Sequence, residues 1–89
     1  MSYKIFFTPF SNKQFMKLPK ETQLRIKKAL DRMRIRPKSF AIKLVSLHLY
    51  RFRVGDYRVI MEIDDTRIII LVVGIGHRKV IYKYNLTNK

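Results

Sequence analysis

The second half of the chain concentrates side chains that can bind and cleave a phosphate ester. They are Arg51, Arg53, Arg58, His77, Arg78 and Tyr82. An arginine guanidinium donates forked hydrogen bonds to phosphate oxygens and stays charged at physiological pH. Histidine can exchange a proton near neutrality, and tyrosine offers a flat surface to an unstacked base. Together these residues contain the parts for cleaving RNA through a neighbouring 2′-hydroxyl. The alternative is that they form an ordinary hydrated surface.

The first three arginines fall on a predicted β-hairpin. Gly55-Asp56 is a turn signal between two runs rich in aromatic and β-branched residues. With a two-residue loop, residue 54 pairs with 57, 52 with 59 and 50 with 61. Because side chains alternate along a strand, one face is apolar and the other carries the arginines. The apolar face holds Tyr50, Phe52, Val54, Tyr57, Val59 and Met61, and the other holds Arg51, Arg53, Arg58, Ile60 and Glu62. Arg53 and Arg58 are predicted to lie directly opposite one another.

The net charge points to an anionic partner. Lysine and arginine number 20 against 6 acidic residues, which gives a formal charge of +14 in 89 residues. Such an excess favours binding to a polyanion or to a strongly acidic protein. The charge alone does not distinguish RNA, DNA, an anionic membrane and an acidic polypeptide.

Several site types are excluded or disfavoured by residue usage. The chain has no cysteine and only two histidines, so disulfides and thiolate zinc sites are absent and the cytoplasm is the expected compartment. Its carboxylates lie mostly in turns, and we expect neither a metal site nor another cofactor. The longest apolar run, at residues 68–75, is far below the ~20 residues that span a bilayer. The N-terminus carries no signal-peptide pattern.

Two helices are predicted to follow an N-terminal strand at residues 3–7. Thr8-Pro9 begins the first helix, over residues 9–17, and its aromatic and leucine side chains Phe10, Phe15 and Leu18 are predicted to lie in the core. The second helix begins at residue 19 or 20 and runs to 35. Its apolar stripe, Ile26, Ala29, Leu30 and Met33, has the spacing of a buried helix face.

Three strands complete the predicted domain, at residues 49–54, 57–63 and 67–75. The last is apolar on both faces, so we expect the N-terminal strand to pair beside it and strand 49–54 to form an edge. Gly74 and Gly76 are predicted to let the backbone turn where this strand leaves the sheet. The fold class is therefore α+β: one domain over residues 1–89, with a strand, a two-helix hairpin and a three-stranded antiparallel meander in two layers. Because the helices cover one sheet face, the other stays available to the arginines.

The sequence resembles the RelE/ParE superfamily of toxin–antitoxin proteins, most closely the RelE-type messenger-RNA endonucleases. The stretches that carry the resemblance are LYRFRVGDYRVIMEID, VVGIGHRKVIY and the N-terminal YKIFFTPFSNKQFMKLPKETQLRIKKAL. The resemblance implies a metal-independent endoribonuclease that cleaves mRNA in the ribosomal A site by activating the 2′-hydroxyl. It implies as partners the ribosome, mRNA and an acidic, RelB-like cognate antitoxin, with which the toxin forms a hetero-oligomer.

The resemblance also assigns roles to residues. Arg51 and Arg53 match the basic pair on the hairpin, Arg58 and Arg78 match later arginines, and Tyr82 best matches a tyrosine that stacks on the RNA. In one branch of the family the hairpin positions are lysines and one of them is the general base. Arginine cannot readily lose a proton, so that role does not transfer. Two alternatives are open: His77 takes the proton, or the site acts by positioning and charge stabilisation.

Two other functions are compatible with the sequence. Gyrase-inhibiting relatives share the fold and much of the pattern, and the composition by itself favours a non-catalytic RNA-binding protein.

Overall fold

The computed structural model describes residues 2–44 and 48–77. Its elements are β1 (Lys4–Phe7), α1 (Pro9–Met16), α2 (Lys20–Met33), α3 (Pro37–Phe40), β2 (Ile42–Lys43), β3 (Tyr50–Val54), β4 (Tyr57–Asp64) and β5 (Ile69–His77). The predicted α+β order is confirmed. The short helix α3 and the short strand β2 were not predicted.

The strands form one five-stranded sheet in the order β1-β5-β4-β3-β2. β1 pairs with β5, as predicted; this pair is parallel and the other neighbours are antiparallel. The prediction that β3 forms an edge was wrong, because β2 pairs with its first residues, Ile42 opposite Arg51 and Lys43 opposite Tyr50. Two residues are too short a run to give a strand signal in the sequence.

The core lies between the helices and one face of the sheet. From α2 it receives Ile26, Leu30 and Met33, all buried, and this confirms the predicted stripe. From the sheet it receives Phe52, Val54, Val59, Met61, Ile70, Val72 and Ile75. α2 ends at Met33 rather than at residue 35, with Arg34 as its C-cap.

The expected core position of Phe10 was wrong, since its side chain is 52% exposed. Phe10 is five positions before the buried Phe15, which places them about 140° apart around a helix. The buried face of α1 instead consists of Ser11 and Phe15, one turn apart. Leu18 packs against the core while remaining partly exposed.

Hydrogen bonds fix α1 on strand β5. Thr8 caps the helix by accepting from the Ser11 N–H at 3.1 Å, as the sequence predicts. The Ser11 hydroxyl, fully buried, donates to the Val72 carbonyl at 2.7 Å. The Gln14 Oε1 accepts from the Ile75 N–H at 2.8 Å. These side chains bind the edge of β5 just past its last pair with β1, Phe7 opposite Val72.

The glycines near the end of β5 do not form a turn, contrary to the prediction. Gly74 lies opposite Ile60 and Gly76 opposite Arg58, and the strand continues to His77. The irregularity is a bulge: the register with β4 shifts between Ile60 and Met61. Glycine is tolerated in strands at such bulges.

A polar cluster joins three parts of the chain at one end of the molecule. Lys38 of α3 forms an ion pair with Asp65, which follows β4, and the Tyr3 hydroxyl donates to Asp65 Oδ1 at 2.7 Å. The hydrogen bond from Lys38, with that from Tyr3, lowers the pKa of Asp65. Hydrogen bonding to Asp65 raises the pKa of both Lys38 and Tyr3.

Candidate nucleic-acid interface

Arg51, Arg53 and Arg58 lie together on the sheet face opposite the helices, which we call the arginine face. The register that places them there is the predicted one, with Val54 opposite Tyr57 and Arg53 opposite Arg58. The turn between the strands is set by Gly55, whose φ is 59°. Asp56, the second residue of the turn, does not have a positive φ. The turn therefore has the pattern of type II′, in which the first central residue is glycine. A wider loop would shift the register and move the arginines to the core face.

The three arginines differ in burial. Arg53 is exposed, and its Nε donates to the Gly55 carbonyl at 3.3 Å. Arg58 is 6% exposed, and its Nη1 donates to the Tyr57 carbonyl at 3.5 Å. Arg51 is half-buried between Ile42 of β2 and Ile60 of β4. The face therefore presents guanidinium groups at several depths.

Two positive charges oppose each other directly at Arg53 and Arg58. A like-charged cross-strand pair destabilises an antiparallel ladder by about 0.2–1 kcal/mol. An anion held between the guanidinium groups reverses that interaction, because each forms charge-assisted hydrogen bonds to it. On the far side of Arg58 the paired residue is Gly76, so β5 adds no side chain to this row.

His77 is not on the arginine face. It is paired with Tyr57, and the two rings meet edge to face with centroids 5.8 Å apart. Since directly paired residues point to the same side of a sheet, the exposed His77 shares the face that carries the helices. The structure therefore brings together three of the predicted site residues and separates the histidine from them. Arg78 and Tyr82 lie outside the described residues, and their roles stay predictions.

A groove that the sequence did not reveal runs between α1, α2 and the edge strand β1. Its volume is about 560 Å³. Apolar side chains line it (Ile5, Phe7, Phe15, Met16 and Leu30), together with the polar Asn12, Lys27, Lys28, Asp31 and Arg34. The lining draws on three elements that are distant in sequence, which is why no local pattern identifies it. An amphipathic segment with acidic residues has the matching chemistry.

The described residues contain no group of three or more histidine, cysteine or acidic side chains arranged to hold a metal ion. Within residues 2–44 and 48–77, every helix is too short or too polar to cross a membrane.

Comparison with known proteins identifies relatives of this chain. The family model of the ParE toxin of type II toxin–antitoxin systems matches residues 5–82. Comparison with curated protein sequences gives no match.

Three solved structures illustrate the similarity of fold. The archaeal RelE–RelB complex from Pyrococcus horikoshii has 29% identity and a TM-score of 0.73, over 88% of this chain and 97% of that chain. The toxin–antitoxin complex RelBE2 from Mycobacterium tuberculosis has 21% identity and a TM-score of 0.78, over 88% and 100%. A mutant of the E. coli toxin RelE in the free state has 18% identity and a TM-score of 0.78, over 99% and 98%.

Proposed function

This chain belongs to the ParE toxin family of type II toxin–antitoxin systems, and we propose that within this family it is a ribosome-dependent mRNA endoribonuclease. The reaction is cleavage of the message in the ribosomal A site through attack of a 2′-hydroxyl on the adjacent phosphate, without a metal cofactor. The toxin acts in the cytoplasm and an antitoxin holds it inactive. The arginine face is the observation that carries this proposal.

The chemistry of this reaction suits a site made of guanidinium groups. Negative charge grows on the phosphate oxygens as the 2′-oxygen attacks, and fixed donors aimed at that charge stabilise the transition state. Arg53 and Arg58 are paired across one row of the sheet, so that one phosphate can contact both. The hairpin that holds them is rigid, since β4 is hydrogen-bonded on both sides in the sheet. Arginines placed on paired strands are better fixed than arginines on loops.

Inhibition of DNA gyrase is the second candidate, and the family model favours it because that model describes ParE toxins. The solved structures with the same fold include several RelE toxins and RelB–RelE complexes. This similarity of fold supports mRNA cleavage by analogy. A third candidate, non-catalytic RNA binding, is favoured only by the charge of +14.

Primer extension on a translated message after brief expression separates the three candidates. Endonuclease activity gives cuts at fixed positions within codons. DNA damage without cuts supports gyrase inhibition, and neither effect supports simple RNA binding. The chemistry is tested on the 5′ fragment, which should end in a 2′,3′-cyclic phosphate or its 3′-phosphate hydrolysis product. A 3′-hydroxyl would show that water attacked the phosphate and would contradict the mechanism.

The proposed antitoxin is an acidic protein that uses an amphipathic helix. The groove between α1, α2 and β1 has the apolar floor and the lysines and arginine that such a helix requires. The variant Met16→Glu tests this placement. It should weaken antitoxin binding, because it puts a carboxylate on the apolar lining of the groove, where the Met16 side chain is 61% exposed. The matched control Leu24→Glu changes another exposed apolar residue that does not line the groove.

A further inference from the structure

The arginine face carries a carboxylate that holds no part of the described fold together. Glu62 is exposed on β4, and the alternation of that strand puts its side chain on the same face as Arg58 and Ile60. None of the ion pairs among the described residues involves it. The other carboxylate on this face, Asp64, is already engaged, since its Oδ1 accepts from the N–H groups of Thr66 and Arg67 at 3.0 and 3.1 Å.

Glu62 lies one row from Arg51 on the neighbouring strand. Arg51 pairs with Ile60, so Glu62 is its diagonal neighbour. Diagonal residues of an antiparallel pair are about 7–8 Å apart at the backbone, a gap that long side chains cross. A phosphate that lies over the row of Arg51 is one row from Arg53 and Arg58 on one side and one row from Glu62 on the other, so the Glu62 carboxylate is within reach of its ribose.

The described part of the arginine face offers few groups that can accept a proton. Its arginines cannot, since they stay protonated in proteins. His77 lies on the opposite face, against Tyr57. The charged group next to Glu62 on β3 is Arg51, and on its own strand Asp64 lies two residues away and Arg58 four, while β5 presents the uncharged Leu71 opposite it. A glutamate beside guanidinium groups can act as a general base, because the arginines hold the phosphate whose sugar it deprotonates.

We propose that Glu62 is the general base for the cleavage reaction, an inference that rests on the proposed function. One carboxylate oxygen takes the proton of the 2′-hydroxyl while the 2′-oxygen bonds to phosphorus and the bond to the 5′-oxygen breaks. The leaving 5′-oxygen takes a proton from a water molecule, and Glu62 then returns its proton to the hydroxide that remains. The products are a 2′,3′-cyclic phosphate and a 5′-hydroxyl.

The pH dependence of cleavage distinguishes Glu62 from a histidine base. Glutamic acid in peptides titrates near pH ~4.3 and histidine near ~6.5. With a glutamate base the single-turnover rate is flat between about pH 6 and about pH 8.5, whereas a histidine base loses about fourfold in rate at the acid end. In Glu62→Gln the attack depends on hydroxide, so the rate should rise about tenfold for each pH unit. A merely structural role for Glu62 does not produce this change of slope.

The test is cleavage of a programmed ribosome by the wild-type protein, by Glu62→Gln and by Asp56→Asn. Asp56→Asn is the matched control, because it removes one carboxylate from the exposed turn of the same hairpin. We expect Glu62→Gln to lower kcat by about 10²-fold with little change in KM, and Asp56→Asn to act like wild type. Glu62→Asp, a shorter carboxylate, should retain part of the rate and the flat pH profile.

The experiment distinguishes failure of the Glu62 assignment from failure of the proposed function. If the wild-type protein cleaves but Glu62→Gln cleaves at the same rate with the same pH profile, Glu62 is not the base and the proposed function stands. If the folded wild-type protein does not cleave at all, the proposed function fails and the role of Glu62 with it. Equal melting temperatures of the four proteins show that loss of rate is not loss of fold.

Discussion

Arg53 and Arg58 face each other across one hairpin, but only one of them can be removed without disturbing the fold. Arg58 is 6% exposed, so its methylenes are packed and its loss leaves a space. Arg53 is exposed and makes a single long hydrogen bond, to the Gly55 carbonyl. Exposed side chains of this kind contribute little to stability. Arg53 is therefore the residue through which binding can be tested separately from folding.

We predict that Arg53→Ala lowers the cleavage rate by about 10²–10³-fold, the cost of losing one donor to a developing oxyanion. The melting temperature should change little, and relief of the repulsion with Arg58 offsets part of any loss. Arg32→Ala is the control, since it removes one exposed positive charge from α2 and should leave the rate within about twofold. An Arg53→Ala protein that is folded and fully active would exclude Arg53 from the site.

Local pattern was sufficient to predict the arginine face but not the position of His77. The face follows from a two-residue turn and the alternation of side chains, both visible around Gly55 and Asp56. Proximity in sequence alone groups His77 with the arginines. The face of the sheet on which His77 lies depends on a bulge between β4 and β5 and on the continuation of β5 through two glycines. A shift of one residue in the register moves every later side chain to the other face.

At the scale of elements, α1 is attached to the sheet by two side-chain hydrogen bonds as well as by its buried aromatic residue, Phe15. Ser11 is fully buried where an apolar residue is usual, because its hydroxyl reaches the Val72 carbonyl. The sequence suggested Phe10 for this face, since hydrophobicity alone favours the aromatic residue. A buried serine is identified only when its acceptor on a distant strand is known. β2, α3 and the groove could not be predicted from the sequence for the same reason, since they too depend on contacts between distant segments.

Ser11→Ala should lower the free energy of unfolding by about 0.5–1.5 kcal/mol, because the Val72 carbonyl loses one of its two donors and keeps the Thr8 N–H. In a domain of this size, each kcal/mol lost lowers the melting temperature by about 4–8 °C. Ser39→Ala, at an exposed position of α3, is the matched control and should change the midpoint by less than about 2 °C. Activity per folded molecule should be the same in both variants; equal melting temperatures would mean that the Ser11 hydrogen bond contributes nothing net.

At the scale of the whole molecule, the Tyr3–Lys38–Asp65 cluster joins β1, α3 and the turn after β4, and it links stability to pH. Lys38 and Tyr3 lower the pKa of Asp65, so the folded chain favours its deprotonated form. The resulting stability is present above the pKa of an unfolded aspartate, about 3.9, and is lost as pH falls through the lower folded value.

We therefore predict that Asp65→Asn melts below wild type at pH 7 and that the difference narrows as the pH falls below about 4. Asp56→Asn, in the exposed hairpin turn, serves as the control for removal of one negative charge. Thermal unfolding across this range measures both variants. A difference that stays constant down to strongly acid pH would show that the cluster does not act through the charge of Asp65.

The charge of +14 governs how the proposed antitoxin finds the toxin. Steering by opposite charge raises the association rate, and salt screens it. We predict that association with an acidic antitoxin slows by about tenfold or more between low and physiological salt. Dissociation should change less, because apolar contacts hold the complex once formed. Stopped-flow mixing measures both rates, and an association rate that is insensitive to salt would exclude steering.

The place of β5 in the sheet has a consequence for how the chain folds during its synthesis. β5 follows all the other described strands in sequence, yet it lies between β1 and β4. The strand made first thus has no partner until residues 69–72 have left the ribosome. Pairing of such distant segments is slow relative to local folding. The hairpin that carries the arginines can form earlier, but it lacks its β5 partner until then. A newly made toxin therefore lacks a complete sheet, and with it a fixed arginine face, until β5 has left the ribosome.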